Sequence, residues 1–395
     1  MRLHSLPSAA AAAAALAMTF SVAAVPPPAG ADEAVDAPSL AAERPSNAAV
    51  RAEIDRVVSE SSAASLAKTS GTDPSQQVAA TFRCAEFLES ARYCLGYGWT
   101  RSSEAAIQAE MTSKIVDTRS LRAAGAEETG DLSLDGIIAR AAAMSPDERA
   151  AAERRELEDA AAGIDKFIAL EELRLGPDPV SVKAVRKKDK GGVLANAVIG
   201  GTTFPEQGAI LQDRVEDQHQ KYWCGPTTMQ MMAWNYGNNP KVSQATWASR
   251  LGTTTSGTAI TDMVRVANNY ADPARWVTQQ DAAYVTKDIG GYTYAQWYKL
   301  NVNHYSTWRT PVILHPVLLK KFFPYLDGDG SGHFQLGRGW DFESAKTDSW
   351  QLLYYEPWNP QYFSPTRPYV DRKQRRWAKN SYLANLDHFQ HNIGV

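Results

Sequence analysis

The stretch from Gln218 to Gln230, QHQKYWCGPTTMQ, sets Cys224 directly before Gly225 and Pro226. Proline is favoured in the first turn of a helix, so a helix is predicted over Pro226–Asn235 with the thiol at its positive end. The unpaired N–H groups and the macrodipole at that end favour a thiolate, the nucleophilic form of cysteine. Gly225 lets other backbone approach closely. A thiolate so placed attacks an acyl carbon when a base and an oxyanion donor stand nearby. Gln218 and Gln220 each offer a neutral amide N–H for the second task.

Histidine is the expected base, and six follow the first residues of the chain. His219 is too close in sequence to turn back on Cys224. His304 and His315 have no evident orienting carboxylate, and His388 and His391 read as surface or weak metal-binding residues of the tail. His333 differs, because it opens a strand after the flexible run Gly328-Asp329-Gly330-Ser331-Gly332. A second strand is predicted over Trp350–Tyr355. If the two pair as an antiparallel hairpin, the residue beyond the second, Glu356, returns opposite the start of the first. A carboxylate there fixes the tautomer of His333 and stabilises its imidazolium. Asn359 is the alternative orienter. The run from Asp327 to Gly332 also begins like a calcium loop, but its twelfth position, where a bidentate glutamate is needed, is Arg338. It reads as a loop leading into His333, and no metal or other cofactor is expected.

These residues must be held by the rest of the 395-residue chain. Residues 1–31 carry Arg2, an apolar run from about Ala9 to Val25 and the small-residue exit Ala29-Gly30-Ala31, which reads as a signal peptide cleaved after Ala31. The expected product is secreted, with no stable membrane insertion. Three cysteines in an exported chain imply one bridge and one free thiol. Cys84 and Cys94 are close enough to form the local pair, which leaves Cys224. The formal charge of −3 gives no basic field for nucleic acid.

Residues 32–75 lack aromatics and read as a disordered leader. Residues 76–180 read as helical, a pro-segment or an accessory domain. Their clearest signal is a capping box at Ser145-Pro146-Asp147-Glu148, before a helix striped with Leu157, Ala161, Ile164 and Ile168. Gly and Pro punctuation with a basic run marks a linker over 181–204. Ten of the 11 tryptophans lie at or after Trp223, so residues 205–395 form the predicted catalytic domain. Helices are expected there over Ser243–Leu251 and Thr261–Tyr270, then strands over Pro311–Leu319, His333–Leu336 and Trp350–Tyr355. Helices followed by strands make the domain α+β.

The run Gln218-x5-Cys224-Gly225-Pro226 before a helix, SQATWASRLGTTTSGT over Ser243–Thr258, Gly332-His333 at a strand start, and an acidic residue followed by Pro357 resemble the papain-like cysteine peptidases of the bacteriocin-processing family and their exported relatives. The resemblance covers about residues 205–360. It implies a papain-like fold, Cys224 as nucleophile, His333 as base, Glu356 as orienter and Gln218 as oxyanion donor, with peptides or proteins as substrates. The family usually has Asp where this chain has Glu356. The activity implied is peptide-bond hydrolysis through a thioester. The alternatives are an amidase or acyltransferase acting on cell-wall peptides, and a binding module that has lost its catalysis.

Overall fold

The computed structural model describes residues 43–60, 73–176, 196–199, 202–205, 207–235, 240–270, 283–342 and 349–395. The signal segment with Ala31, most of the leader and residues 181–195 of the linker lie outside the described residues. Twelve strands are described: β1 (Cys84–Ala85), β2 (Arg92–Cys94), β3 (Gly98–Thr100), β4 (Asn196–Ile199), β5 (Thr202–Pro205), β6 (Gln207–Ala209), β7 (Thr286–Asp288), β8 (Val312–Leu314), β9 (Gln335–Phe342), β10 (Trp350–Tyr355), β11 (Lys373–Trp377) and β12 (Asn392–Gly394). Ten of them form one sheet in the order β1-β2-β3-β7-β12-β8-β9-β10-β11, with β6 also on β9. Helices pack around it, and the fold is α+β. No described helix is long and apolar enough to cross a membrane.

The helical signals in the sequence become helices with the expected ends. Ser145 and Glu148 form the capping box of helix Pro146–Ala162. Ser243 caps helix Gln244–Leu251, which ends where Gly252 turns left-handed at φ 66°. The stripe read as one helix is broken at Gly163, and a second helix runs Ile164–Leu175. A side chain at Gly163 would overlap Val285, so the break lets the backbone close onto the sheet. The leader reading fails for Asn47–Ser59, which is a helix capped by Ser46. Its two buried aliphatics, Ile54 and Val57, join a core that other segments supply, so it needs no aromatics of its own. Part of the predicted linker is also structured, as the β4–β5 hairpin.

The N-terminal region adds strands to the same sheet. β3 pairs in parallel with β7 through Trp99 and Lys287. Trp99 stacks on Phe167 with ring centroids 4.6 Å apart, in a hydrophobic cluster that also holds Trp297, Tyr305 and Trp350. Lys287 Nζ lies 2.9 Å from Glu171 Oε1 in the same interior. Burying that charged pair is tolerable only because each member has its partner. Cys84 and Cys94 face each other across β1 and β2 and are disulfide-bonded, while Cys224 is free and buried.

Two strands position the site. β9 and β10 are antiparallel, with Leu336 opposite Tyr355 and Phe342 opposite Trp350, and one bulge at Leu353/Tyr354. The strand expected at His333 starts two residues later, at Gln335, so His333 stands just off its end.

Candidate active site

Helix Cys224–Asn235 begins at the cysteine itself and is buried along nearly its whole length. Thr227 N donates to Trp223 O at 3.0 Å to close the first turn. A helix this enclosed fixes its first residue firmly. The amides of Gly225 and Phe334 favour the thiolate, as a helix N-terminus should. They are outweighed: burial first, then the negative charges of Asp131 and Glu356, push the Cys224 thiol well above its ordinary value. The lowered pKa expected from the helix end alone is therefore not met in this state. The reason is first that the thiol is fully buried, and then that Asp131, from the N-terminal region, adds its negative charge.

His333 and Glu356 are both fully buried, and His333 Nε2 lies 2.7 Å from Glu356 Oε1. The hairpin register produces this contact, since the residue after Tyr355 falls beside the start of β9. Glu356 is saturated: Trp358 N donates to Oε1 at 2.9 Å, Tyr325 Oη to Oε2 at 2.7 Å and Gln335 Nε2 to Oε2 at 2.8 Å. A buried carboxylate is stable when every lone pair is engaged in this way. With Nε2 turned to the carboxylate, the Nδ1 edge of His333 faces Thr129 O at 3.4 Å.

Gln218 is buried and its backbone N donates to Pro357 O at 2.9 Å, which ties it to the turn after Glu356. Its Nε2 faces three carbonyl oxygens: Lys221 O at 2.8 Å, Gln220 O at 3.0 Å and Thr129 O at 3.4 Å. Three acceptors around one atom fix which end of the amide is nitrogen. Gln218 thus presents a donor to the same carbonyl that His333 faces. Gln220 is exposed and contributes its carbonyl, not its side chain. Asn359 does not orient His333 here. Its Oδ1 accepts from Gln361 N and Val370 N, each at 3.3 Å, and caps the short helix Pro360–Phe363.

The remaining histidines depart from expectation. His388 and His391 are buried, not tail surface. His391 is held by Asp288 at 2.9 Å and Glu110 at 2.7 Å, and these partners raise its pKa to about 10 despite burial. His315 and His388 each place Nε2 2.9 Å from a different oxygen of Asp131. That carboxylate comes from far earlier in the chain and gave no signal in the sequence. Tyr325, Gln335 and the Thr129 carbonyl were missed too. Gln335 alone was accessible to pattern reading, because residues i and i+2 share a strand face. The loop from Asp327 has protein partners for both its carboxylates: Asp327 pairs with Arg367 at 2.8 Å, and Asp329 Oδ1 accepts from Lys320 N at 2.7 Å.

A buried His–Glu pair, a thiol at a helix start and an amide donor near one carbonyl are the kinds of group that acyl transfer uses. No curated protein and no solved structure matches the chain significantly. Residues 210–385, which hold all four of Gln218, Cys224, His333 and Glu356, match the model of the Peptidase_C39 like family, a match that supports a C39-like cysteine peptidase.

Proposed function

We propose that the protein hydrolyses peptide bonds with Cys224 as nucleophile, His333 as base, Glu356 as its orienter and Gln218 as an oxyanion donor. The observation that carries this reading is the 2.7 Å contact of His333 Nε2 with a Glu356 carboxylate that three further donors hold in place. That contact keeps a proton on Nε2 and leaves Nδ1 as the proton acceptor.

In the proposed cycle the Cys224 proton passes to His333 Nδ1 as Sγ bonds to the scissile carbonyl carbon. The oxyanion accepts from Gln218 Nε2. Collapse breaks the C–N bond, and His333 returns the proton to the leaving amine, which gives a thioester and the first product. Water then attacks the thioester carbon and gives a proton to His333, the C–S bond breaks, and the proton returns to sulfur as the acid product leaves. Export belongs to the same proposal, and the Cys84–Cys94 bridge supports it because disulfides persist in oxidising compartments.

The test is labelling with a thiol-reactive acyl mimic, followed by digestion of a peptide library. Labelling confined to Cys224, with cleaved peptides that vanish in Cys224→Ala, is the expected result. Turnover that survives Cys224→Ala removes the reading.

A further inference from the structure

Glu127 to Asp131, the sequence Glu-Glu-Thr-Gly-Asp, links helix Glu104–Ala123 to helix Leu134–Ala143 and precedes the family-matched segment. On one side it pairs with the loop before His333. Glu127 N donates to Asp329 O at 2.9 Å, Ser331 N to Glu127 O at 2.8 Å, and Thr129 Oγ1 to Gly332 O at 2.8 Å. On the other side Thr258 N donates to Gly130 O, and Leu132 N to Thr258 O, both at 2.9 Å. Between these edges Thr129 O lies 3.4 Å from Gln218 Nε2 and from His333 Nδ1. A Cβ on Gly130 would stand 2.8 Å from Cys224 Sγ and 2.8 Å from the Tyr222 carbonyl carbon.

We propose that Glu127–Asp131 is an intramolecular occupant of the catalytic cleft and that it holds the enzyme latent until displaced. This rests on the peptidase reading above. The segment uses the donor that a substrate carbonyl would use, and its one glycine is the residue set against sulfur, where any side chain would collide. It is an inhibitor more than a substrate, because His333 faces the Thr129 carbonyl oxygen and not the nitrogen that would have to leave.

Both ends are anchored through carboxylates. Glu127 takes Lys221 Nζ at 2.8 Å and Arg367 Nη2 at 2.7 Å. Asp131 takes His315 and His388 at 2.9 Å each, in the interior. The second cluster has the ligand types of a metal site, but its protons are arranged against one. Gln390 N donates to His388 Nδ1 at 3.2 Å, so the His388 proton is on Nε2, toward Asp131. Asn392 Nδ2 donates to Tyr97 O at 2.6 Å, which leaves its Oδ1 to accept from His315 Nδ1 at 2.8 Å. The cluster clamps the segment through the Asp131 carboxylate that the two imidazoles flank.

The experiment measures two quantities in the full chain: the rate at which iodoacetamide alkylates Cys224, and turnover on a peptide library. The variants are Glu127→Ala, Gly130→Ala and Asp131→Asn, with melting curves to confirm folding. Alkylation is expected to rise about tenfold or more in Gly130→Ala, where a strained φ and a collision both favour release. In Glu127→Ala it should rise by about two- to fivefold, the scale of an exposed ion pair. Turnover should rise in parallel. Glu127 is only half-buried, so its variant stays informative if the Asp131 variant fails to fold. Alkylation at the wild-type rate in every folded variant overturns the proposal. Faster alkylation with no turnover on any peptide keeps the occupant and removes the peptidase reading. Rapid alkylation and full turnover in the wild type do the reverse.

Discussion

Gly130 packs against Cys224 with no room for a side chain, at a φ of 116° and with a hypothetical Cβ 2.8 Å from Sγ. An alanine there carries a backbone cost of about 1–3 kcal/mol before the collision is counted. The cost falls on a loop held mainly by backbone hydrogen bonds. Gly130→Ala should therefore free the segment without unfolding the chain. Hydrogen exchange reads this directly: the amides of Thr258 and Ser331, which donate to Gly130 O and Glu127 O, should lose protection while the β9–β10 amides keep theirs. Unchanged protection at both amides would mean that the loop absorbs the methyl group in place.

The four site residues should respond differently to removal. Cys224→Ala should abolish peptide turnover, and His333→Ala should cost nearly as much, since members of one catalytic unit do not act additively. Gln218→Ala should cost about 2.7–4 kcal/mol of transition-state stabilisation, the usual worth of an oxyanion donor. Alkylation of Cys224 should survive that change, because Gln218 does not make the thiol. Single-turnover rates on one peptide, set beside alkylation rates, separate the two effects.

Glu356→Gln tests the orienter. The new amide keeps one acceptor oxygen and puts an NH2 where a second oxygen now accepts. Trp358 N and His333 share Oε1, while Tyr325 and Gln335 share Oε2, so one pair of donors is left without an acceptor. A loss of about 1–3 kcal/mol in stability is expected, with a partial loss of activity. Asn359→Ala should instead lose about 0.5–2 kcal/mol as a helix-cap change, with kcat unaffected. Denaturation midpoints and kcat for the two variants, measured together, decide between them.

How far the sequence could be read follows from how local each signal is. The capping box at Ser145, the helix bounded by Ser243 and Gly252, and strand Trp350–Tyr355 depend on neighbours in the chain. The His333–Glu356 contact depends on one hairpin, so register alone reaches it. The strand predicted over Pro311–Leu319 survives only as Val312–Leu314. Beyond it, Leu318 N turns to donate to Ser331 O, a long-range hydrogen bond that apolar composition does not announce. Helix Tyr294–Ser306 and strands β7, β11 and β12 went unread, because short buried strands and a helix buried on several faces carry little periodicity. The thiol environment was least accessible of all. Its pKa is raised first by burial and then by the charge of Asp131, a residue that histidines at 315 and 388 hold in place.

The Asp131 cluster makes stability depend on pH in a defined sense. Burial first, and then repulsion from His315, lower the His388 pKa from 6.5 to about 4, although Asp131 pulls the other way. Asp131 itself is held down to about 2 by His315 and His388 against the cost of its burial. Between pH 6.5 and 4 the unfolded chain takes a proton at position 388 that the folded chain refuses, so this term is lost as pH falls, by about 3 kcal/mol in all. Asp131 adds nothing in that window, as its contribution is lost only below pH 3.8, through about 2. His391, raised to about 10, contributes fully below 6.5 and is lost above it. Glu156, raised to about 7 chiefly by burial, works against His388, because it favours folding at low pH. The wild-type curve alone is therefore ambiguous. His388→Gln keeps an amide donor for Asp131 and removes the titration. Its stability relative to wild type should rise by about 3 kcal/mol from pH 6.5 to 4 in urea denaturation, and a constant difference would remove the assignment.

Release of the segment changes what the cleft can take. Lys221 then loses the partner that Glu127 supplies, Arg367 keeps only Asp327, and His315 and His388 lose the carboxylate between them. The vacated cleft then offers cations at one end and two imidazoles at the other, points that the segment spans with residues four apart. A peptide with carboxylates at the same spacing should fit it, and the segment's own sequence is the simplest example. Added to Gly130→Ala, the capped peptide Glu-Glu-Thr-Gly-Asp should inhibit competitively, raising KM with kcat unchanged. The analogue Gln-Glu-Thr-Gly-Asn, neutral at both anchoring positions, should bind about tenfold more weakly or worse, because it loses the pairing with Lys221 and Arg367 and the carboxylate that the buried imidazoles flank. Salt should weaken the parent peptide more than the analogue, because the Lys221 end is exposed and screened. Equal inhibition by both peptides at low salt would show that backbone pairing alone fills the cleft and that its charges select nothing.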